Sequence, residues 1–183
     1  MINDQMEKLY IKYHRELYLY AFSLCKNHHL AQDIMSDTFF KAYLSLDDVS
    51  YFKYWLFRVC KNLYLDFLKR DREYSSGNNL EDILSNNETP LDKMIASEKN
   101  KYLYNLVLNL NEAYKEILIL YYFCGFSIKE ISNSRNITEG AAKTMLFRAR
   151  KRLKKELEGE NGLSITELQM GRNPNGGFRK SVE

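Results

Sequence analysis

Residues 127–157 read SIKEISNSRNITEGAAKTMLFRARKRLKKEL, and this stretch decides the fold of the C-terminal half of the chain. Ser127 with Glu130 predicts a capping box, in which each side chain satisfies a free backbone N–H at the start of a short helix. Asn136 suits the left-handed turn that ends this helix, and Thr138 predicts the N-cap of a longer basic helix. A short helix, a tight turn and a basic longer helix are typical of a helix-turn-helix.

The faces of the longer helix follow from a rotation of about 100° per residue. Four apolar residues cluster on one side and predict its buried stripe: Ala142, Leu146, Ala149 and Leu153. Within 138–155, seven basic residues stand against one acidic residue, Glu139, so the opposite face is basic. Phe147 lies on that face, where a ring suits contact with a thymine methyl group in the major groove. A basic face that is merely solvated would give no reason for this ring.

Residues 51–72, YFKYWLFRVCKNLYLDFLKRDR, combine aromatic and basic side chains around the only tryptophan of the chain. Helical spacing predicts a buried stripe of Trp55, Leu56, Val59, Cys60, Leu63 and Phe67. Arg58, Lys61 and Asn62 fall on the other side of the same helix. Cations contact phosphates, rings stack on unpaired bases, and an amide both donates to and accepts from a base edge. This face therefore suits single-stranded DNA, although rings such as Trp55 can equally pack between helices.

Two further apolar stripes with helical spacing precede this helix, and no alternating β-type pattern competes with them. They comprise Met6, Leu9, Tyr10, Tyr13, Leu17, Tyr20, Ala21 and Leu24 in the first helix, and Ala31, Ile34, Met35, Thr38, Phe39 and Ala42 in the second. Three such helices can bury one another's stripes. The sequence predicts an all-α protein of two small helical domains.

The segment 73–98 separates these two domains. It carries six acidic residues against one basic residue, Lys93, together with runs of Ser, Gly and Asn that favour turns. We interpret it as an acidic flexible linker. The predicted organisation is an N-terminal domain over 1–72, the linker, a helix-turn-helix domain over 99–158, and a mobile tail over 159–183.

Composition excludes several classes of protein. No apolar run reaches the roughly 18–20 residues of a membrane-spanning helix, and no secretory signal is expected at the N-terminus. Three widely spaced cysteines suit reduced thiols, so we expect a cytoplasmic protein.

Two kinds of metal site were considered. A zinc site built from Cys25, His28, His29 and His14 would lack a second cysteine pair. A nuclease using Asp33 and Asp37 for Mg²⁺ would lack a general base and a phosphate-binding loop.

Three motifs in this order resemble the extracytoplasmic-function group of bacterial sigma factors, which belongs to the sigma-70 family. AQDIMSDTFFKAY (31–43) is similar to region 2.2 of that family, and YWLFRVCKNLYLDFLKR (54–70) is similar to regions 2.3–2.4. LNEAYKEILILYYFCGFSIKEIS with ITEGAAKTMLFRARKRLKKEL is similar to region 4. The resemblance covers about residues 5–157.

The resemblance implies promoter-specific transcription initiation together with core RNA polymerase, and it assigns three sets of site residues. Core polymerase would be bound by Gln32, Asp33, Asp37 and Phe40. The −10 element would be opened and held by Tyr51, Phe52, Lys53, Arg58, Lys61 and Asn62. The −35 element would be read as duplex by Thr138, Lys143, Thr144, Phe147, Arg148 and Lys151.

The resemblance also implies an anti-sigma factor as a partner, possible attachment of that partner to a membrane, and a monomer when the chain is free. No catalytic residue, metal or cofactor is expected, because the chemistry of RNA synthesis belongs to the polymerase. The alternative is a stand-alone helix-turn-helix regulator of duplex DNA. It explains the C-terminal half but leaves the motif at 31–43 and the ring-rich helix without a task.

Overall fold

The computed structural model of the chain divides into two compact units, Met1–Pro90 and Leu91–Glu183. The residues that the structure describes are 2–45, 52–74, 94–95 and 98–161. All regular structure within these residues is helical, which confirms the predicted all-α class. The unit boundary falls inside the predicted linker 73–98, most of which lies outside the described residues, as does the predicted tail beyond residue 161. The proposed domain limits therefore stay a prediction.

The first unit contains three mutually packed helices, α1 (Ile2–Cys25), α2 (His28–Leu44) and α3 (Phe52–Tyr74). Asn27 begins α2, since its side-chain oxygen accepts a hydrogen bond from the backbone N–H of Leu30 at 2.8 Å. The buried residues of α2 are the predicted stripe: Ala31, Ile34, Met35, Thr38, Phe39 and Ala42. The spacing of apolar residues in the sequence was therefore sufficient to predict which side of α2 is buried.

Helix α1 is buried on more than the one stripe that was predicted. Eight consecutive residues, 17–24, are all buried, including Tyr18 and Phe22 on the side expected to face solvent. The cause is the start of α2, which follows α1 after a left-handed turn at Lys26 (φ 53°). There the His28 ring stacks on Phe22 with 4.5 Å between centroids, and its Nδ1 lies 2.6 Å from the Tyr18 hydroxyl.

Helix α3 buries Leu56, Phe57 and Cys60, while the rest of its predicted stripe is half-buried. The Phe57 ring packs against Tyr20 of α1, with 5.2 Å between centroids. Burial raises the pKa of the Cys60 thiol far above its ordinary value. The thiol therefore stays protonated and acts as a small apolar group in this core.

The second unit contains α4 (Glu98–Leu108), α5 (Glu112–Leu118), α6 (Ile128–Arg135) and α7 (Glu139–Asn161). Helix α5 continues directly into one π-helical turn, Ile119–Phe123, which ends before Gly125 at a positive φ of 62°. Helix α7 packs against α4, α5 and α6, so the longest helix of this unit is also its central element. Within the part of the chain that is described, no helix combines the length and apolar character needed to cross a bilayer.

Leu56 gives a direct test of the first core. We expect Leu56→Ala to lower the free energy of unfolding by about 2–5 kcal/mol, because its side chain is fully buried and the truncation leaves a cavity. Urea denaturation followed by Trp55 fluorescence measures this, since the single tryptophan lies in the same helix. Leu65→Ala is the matched control: Leu65 is 43% exposed on α3, and its loss should cost well under half as much. Equal losses would contradict the packing described.

Candidate nucleic-acid interface

The turn between α6 and α7 is built by the local hydrogen bonds that the sequence predicted. The Ser127 hydroxyl accepts from the Glu130 N–H at 3.2 Å, and the Glu130 carboxylate accepts from the Ser127 N–H at 2.7 Å. Asn136 is left-handed, with φ 52° and ψ 47°. The Thr138 hydroxyl accepts from the backbone N–H of Ala141 at 3.1 Å and so caps α7. These contacts fix where α7 begins and confirm the predicted helix-turn-helix.

Burial along α7 divides the helix into two faces. The predicted stripe of Ala142, Leu146, Ala149 and Leu153 is buried, and Leu157 extends it by one turn. The six residues predicted to read DNA are all exposed: Thr138, Lys143, Thr144, Phe147, Arg148 and Lys151. Phe147 is 66% exposed, although burying a ring of this size would be favourable. The outward face of α7 therefore presents a ring among cations.

An ion pair that sequence reasoning missed fastens α6 to the unit. The Arg135 guanidinium lies 2.8 Å from a Glu116 carboxylate oxygen, and the Glu116 side chain is almost fully buried. The two residues are 19 positions apart, so no local spacing pattern points to the pair. A buried carboxylate without this partner would be costly. Arg135 thus anchors the end of α6, immediately before the turn that sets the direction of α7.

Arg150 is a second residue whose role the sequence did not reveal. It is one of the seven basic residues within 138–155, yet its Nε donates a hydrogen bond of 2.6 Å to the Tyr122 hydroxyl in the π-helical turn. Its guanidinium carbon also lies 5.4 Å from the ring centroids of both Tyr121 and Tyr122. Burial raises the pKa of Tyr122, and the neighbouring Arg150 charge opposes this rise. The phenol therefore stays protonated at neutral pH.

In the first unit, α3 carries five of the six residues predicted for the −10 element, and two of them are exposed. Arg58 and Asn62 are exposed, and Lys53 and Lys61 are half-buried. Tyr51 lies outside the described residues. These positions lie on one continuous helix, so the cations and the amide occupy fixed places relative to one another.

Phe52 requires a correction. It was predicted to offer a ring to DNA, but it is only 6% exposed. Its ring lies 5.9 Å from that of Tyr13 on α1 and 6.4 Å from that of Trp55. The first turn of α3 faces α1, so Phe52 closes the end of the helical core and has no free face for a base.

The four residues predicted to bind core polymerase all lie exposed on α2, opposite its buried stripe: Gln32, Asp33, Asp37 and Phe40. Phe40 is 63% exposed, and the apolar surface continues through the exposed side chains of Tyr43 and Leu44 at the end of α2. This face combines carboxylates with uncovered rings. Such a combination is typical of a surface that a protein partner covers.

The groups considered for a metal have other contacts. Cys25 donates through its thiol to the Asn27 carbonyl at 3.3 Å, His28 contacts Tyr18, and the His14 ring lies 3.0 Å from the Tyr10 carbonyl. Among the described residues, His, Cys, Asp and Glu side chains form no group of three or more that could hold a metal ion. Asp33 and Asp37 thus gain no third carboxylate there.

Comparison with known proteins matches both halves of the chain. The family model of sigma-70 region 2 matches residues 9–74, and that of sigma-70 region 4 matches residues 100–153. The first match spans the three helices of the first unit from within α1 to the end of α3. The second spans α4 to the middle of α7, including the helix-turn-helix.

Curated relatives agree over most of the chain. The ECF RNA polymerase sigma factor SigM of Bacillus subtilis is 34% identical over 154 residues, which cover 81% of this chain and 93% of SigM. SigW of the same organism is 27% identical, covering 79% of this chain and 84% of SigW.

Two solved structures share the fold. The sigma factor RpoE from Bartonella quintana, crystallised with the anti-sigma factor NepR, gives a TM-score of 0.56 at 25% identity, covering 79% of this chain and 91% of RpoE. CnrH in complex with the cytosolic domain of CnrY gives a TM-score of 0.61 at 19% identity, covering 87% of this chain and 91% of CnrH, and supports the fold alone.

Both family models and the relative SigM agree. The chain therefore belongs to the extracytoplasmic-function group of the sigma-70 family and is an alternative sigma factor that directs transcription initiation.

Proposed function

We propose that the two units divide promoter recognition between them: the first holds the −10 element and core polymerase, and the second reads the −35 element as duplex. The observation that carries this proposal is the outward face of α7, where the ring of Phe147 stands 66% exposed among cations. A helix face that contacts only solvent gives no reason to expose this ring. On a helix that enters the major groove, the ring can contact the methyl group that thymine presents there.

On the −35 element, we assign two tasks to the α7 face. One task is electrostatic: the cations Lys143, Arg148 and Lys151 contact phosphates, and those at the centre of the face also contact base edges. Thr144 donates its hydroxyl hydrogen to the Gly140 carbonyl at 2.9 Å, so its methyl group and hydroxyl lone pairs are what it can offer to DNA. Thr138 caps α7 and so fixes the residue at which the helix starts.

On the −10 element, we assign the reading of an unpaired base to Asn62, with Arg58, Lys61 and Lys53 toward the phosphates. Asn62 supports this because it is exposed and has a donor and an acceptor on one short side chain. The burial of Phe52 removes one ring from the predicted stacking surface. The proposal for this unit therefore rests on its cations and its amide, with Tyr51 as the remaining predicted ring.

Core polymerase, in our proposal, covers the exposed face of α2. Asp33 and Asp37 lie one helical turn apart and would attract a basic partner surface. Phe40, 63% exposed, would supply the apolar anchor that interfaces usually place at their centre. This arrangement gives α2 a docking task without any catalytic one, in keeping with a specificity subunit that leaves RNA synthesis to the polymerase.

An anti-sigma factor is a further proposed partner. RpoE from Bartonella quintana, with a TM-score of 0.56 to this chain, was crystallised with the anti-sigma factor NepR. An inhibitor of this chain would need to cover α2, α3 or α7, since these helices carry the exposed faces described above. We also propose that the free chain is a monomer and acts in the cytoplasm, where its polymerase and promoter are found.

Run-off transcription tests the proposed function as a whole. The purified chain is mixed with bacterial core RNA polymerase and fragments of its own genome, and transcripts are compared with those of core polymerase alone. We expect new, discrete transcripts that require the chain and that define its promoter. Tight binding to intact duplex without co-elution with core polymerase would instead support a stand-alone regulator.

Asn62 tests the −10 assignment. We expect Asn62→Ala to weaken discrimination against −10 substitutions by about 1–3 kcal/mol per base pair affected, because an amide contact to a base edge is lost. Run-off from promoters with single −10 changes measures this, and co-elution with core polymerase should be unchanged. Asn105→Ala, an exposed asparagine on α4, is the matched control and should behave as wild type. Loss of polymerase binding in Asn62→Ala would show that α3 has been misassigned.

Phe147 tests the −35 assignment through one chemical group. We expect Phe147→Ala to cost about 1–3 kcal/mol of −35 discrimination, because its apolar contact with a thymine methyl disappears. Replacing the −35 thymines by uracil removes only that methyl group, so it should weaken wild-type holoenzyme but have little further effect on Phe147→Ala. Equal loss on every −35 sequence, or additive loss with uracil, would overturn the base-reading role.

A further inference from the structure

The contact between α7 and the π-helical turn Ile119–Phe123 lies outside the binding faces proposed above. Arg150 stands three residues after Phe147, beside the buried stripe, and is half-buried. Its Nε is committed to the Tyr122 hydroxyl at 2.6 Å, a short hydrogen bond from a cation. The rings of Tyr121 and Tyr122 stand nearly perpendicular, at 82° and 4.9 Å apart, and both lie 5.4 Å from the guanidinium carbon.

This geometry differs from that of a phosphate ligand. Arg148 and Lys151 on the same helix are exposed, so their charged ends can reach DNA. Arg150 instead directs its planar group at two rings of its own unit, where a cation–π contact and a hydrogen bond act together. The phenol that accepts this bond is partly buried, which makes the bond stronger than one in water.

The π-helical turn explains how two adjacent tyrosines can flank one guanidinium. In this turn the Cys124 N–H bonds the Ile119 carbonyl, five residues back, at 3.0 Å. A hydrogen bond that spans one more residue than in an α-helix widens the turn, so the rotation between neighbouring side chains, here Tyr121 and Tyr122, is smaller than in an α-helix. The irregular turn thus builds a receptor for one residue of the recognition helix, 28 positions further along the chain.

We propose that Arg150 is a positioning residue for promoter reading, held by Tyr122 and Tyr121, and that this clamp sets the rotation of α7 about its axis. The inference rests on the proposed reading of the −35 element by α7. A rotation of the helix moves Phe147 and Arg148 relative to base edges, where contacts demand close geometry. Contacts with phosphates depend mainly on charge and tolerate such a shift. Loss of the clamp therefore lowers sequence discrimination and spares non-specific binding.

The test uses holoenzyme assembled from the full chain and core polymerase. Its affinity is measured for one promoter fragment with the −35 element intact and for one with that element scrambled. The ratio of the two affinities is the readout, because a misfolded fraction lowers both alike and cancels. We expect Arg150→Ala to lower this ratio on the order of tenfold, the factor that corresponds to a lost hydrogen bond to a charged group. Affinity for the scrambled fragment should change little.

Conservative variants separate the clamp from a simple charge. Arg150→Lys keeps the charge but lacks the planar group and the Nε donor, so we expect it to lose discrimination as Arg150→Ala does. Tyr122→Phe keeps the ring and loses only the hydroxyl, and it should give part of the same loss. Arg152→Ala is the matched control: Arg152 is exposed on α7 and pairs with Glu156, so its removal should leave the ratio unchanged.

A double-mutant cycle decides the coupling. Because one contact is removed in either case, the variant with both Tyr122→Phe and Arg150→Ala should discriminate no worse than Arg150→Ala alone. Additive losses would show that Tyr122 and Arg150 act independently and would overturn the clamp. Equal weakening on both fragments, or an unchanged ratio in Arg150→Lys, would show that Arg150 acts through its charge as a phosphate ligand and would overturn it as well. A wild-type holoenzyme that ignored the −35 element would instead overturn the proposed function and say nothing against the contact itself.

Discussion

The packing of one side of α7 is the constraint on which the rest of the second unit depends. An α-helix has a fixed rotation per residue, so burying Ala142, Leu146, Ala149 and Leu153 also decides which residues face outward. Core packing and DNA reading are therefore one requirement on this helix and cannot be adjusted separately. The caps at Ser127 and Thr138 fix the start of α6 and α7, and the Arg135–Glu116 pair fixes the end of α6. Packing of the stripe sets the rotation of α7 coarsely, and in our proposal the Arg150 contact with Tyr122 holds it more finely.

Both units solve a similar problem with different partners. Each exposes a phenylalanine that would be more stable buried: Phe147 on the basic face of α7, and Phe40 on the face of α2 that also carries Asp33 and Asp37. In our proposal, the charges near each ring select the sign of the partner. The rings would then supply apolar contact once that partner has bound. The opposite charge around the two rings suits a nucleic acid on one helix and a basic protein surface on the other.

Local features of this fold could be read from the sequence, because they depend on residues a few positions apart. The stripe of α2, the capping box at Ser127 and the left-handed Asn136 all belong to this class. The missed features depend on contacts between distant elements. The resemblance assigned Phe52 to DNA, yet its ring packs against Tyr13 on another helix. Likewise, Arg150 added to the charge of α7, and only the fold shows its tyrosine partners.

The continuous burial of residues 17–24 in α1 has a consequence for synthesis of the protein. This segment, LYLYAFSL, leaves the ribosome before the helices that cover it. Until α2 and α3 have been made, a nascent chain leaves apolar side chains of α1 uncovered, and such surfaces favour aggregation. A chain cut short before α3 would keep this surface permanently. Folding of the first unit therefore requires α2 and α3 to pack on α1 soon after it is made, and chaperones that bind apolar segments would act at this stage.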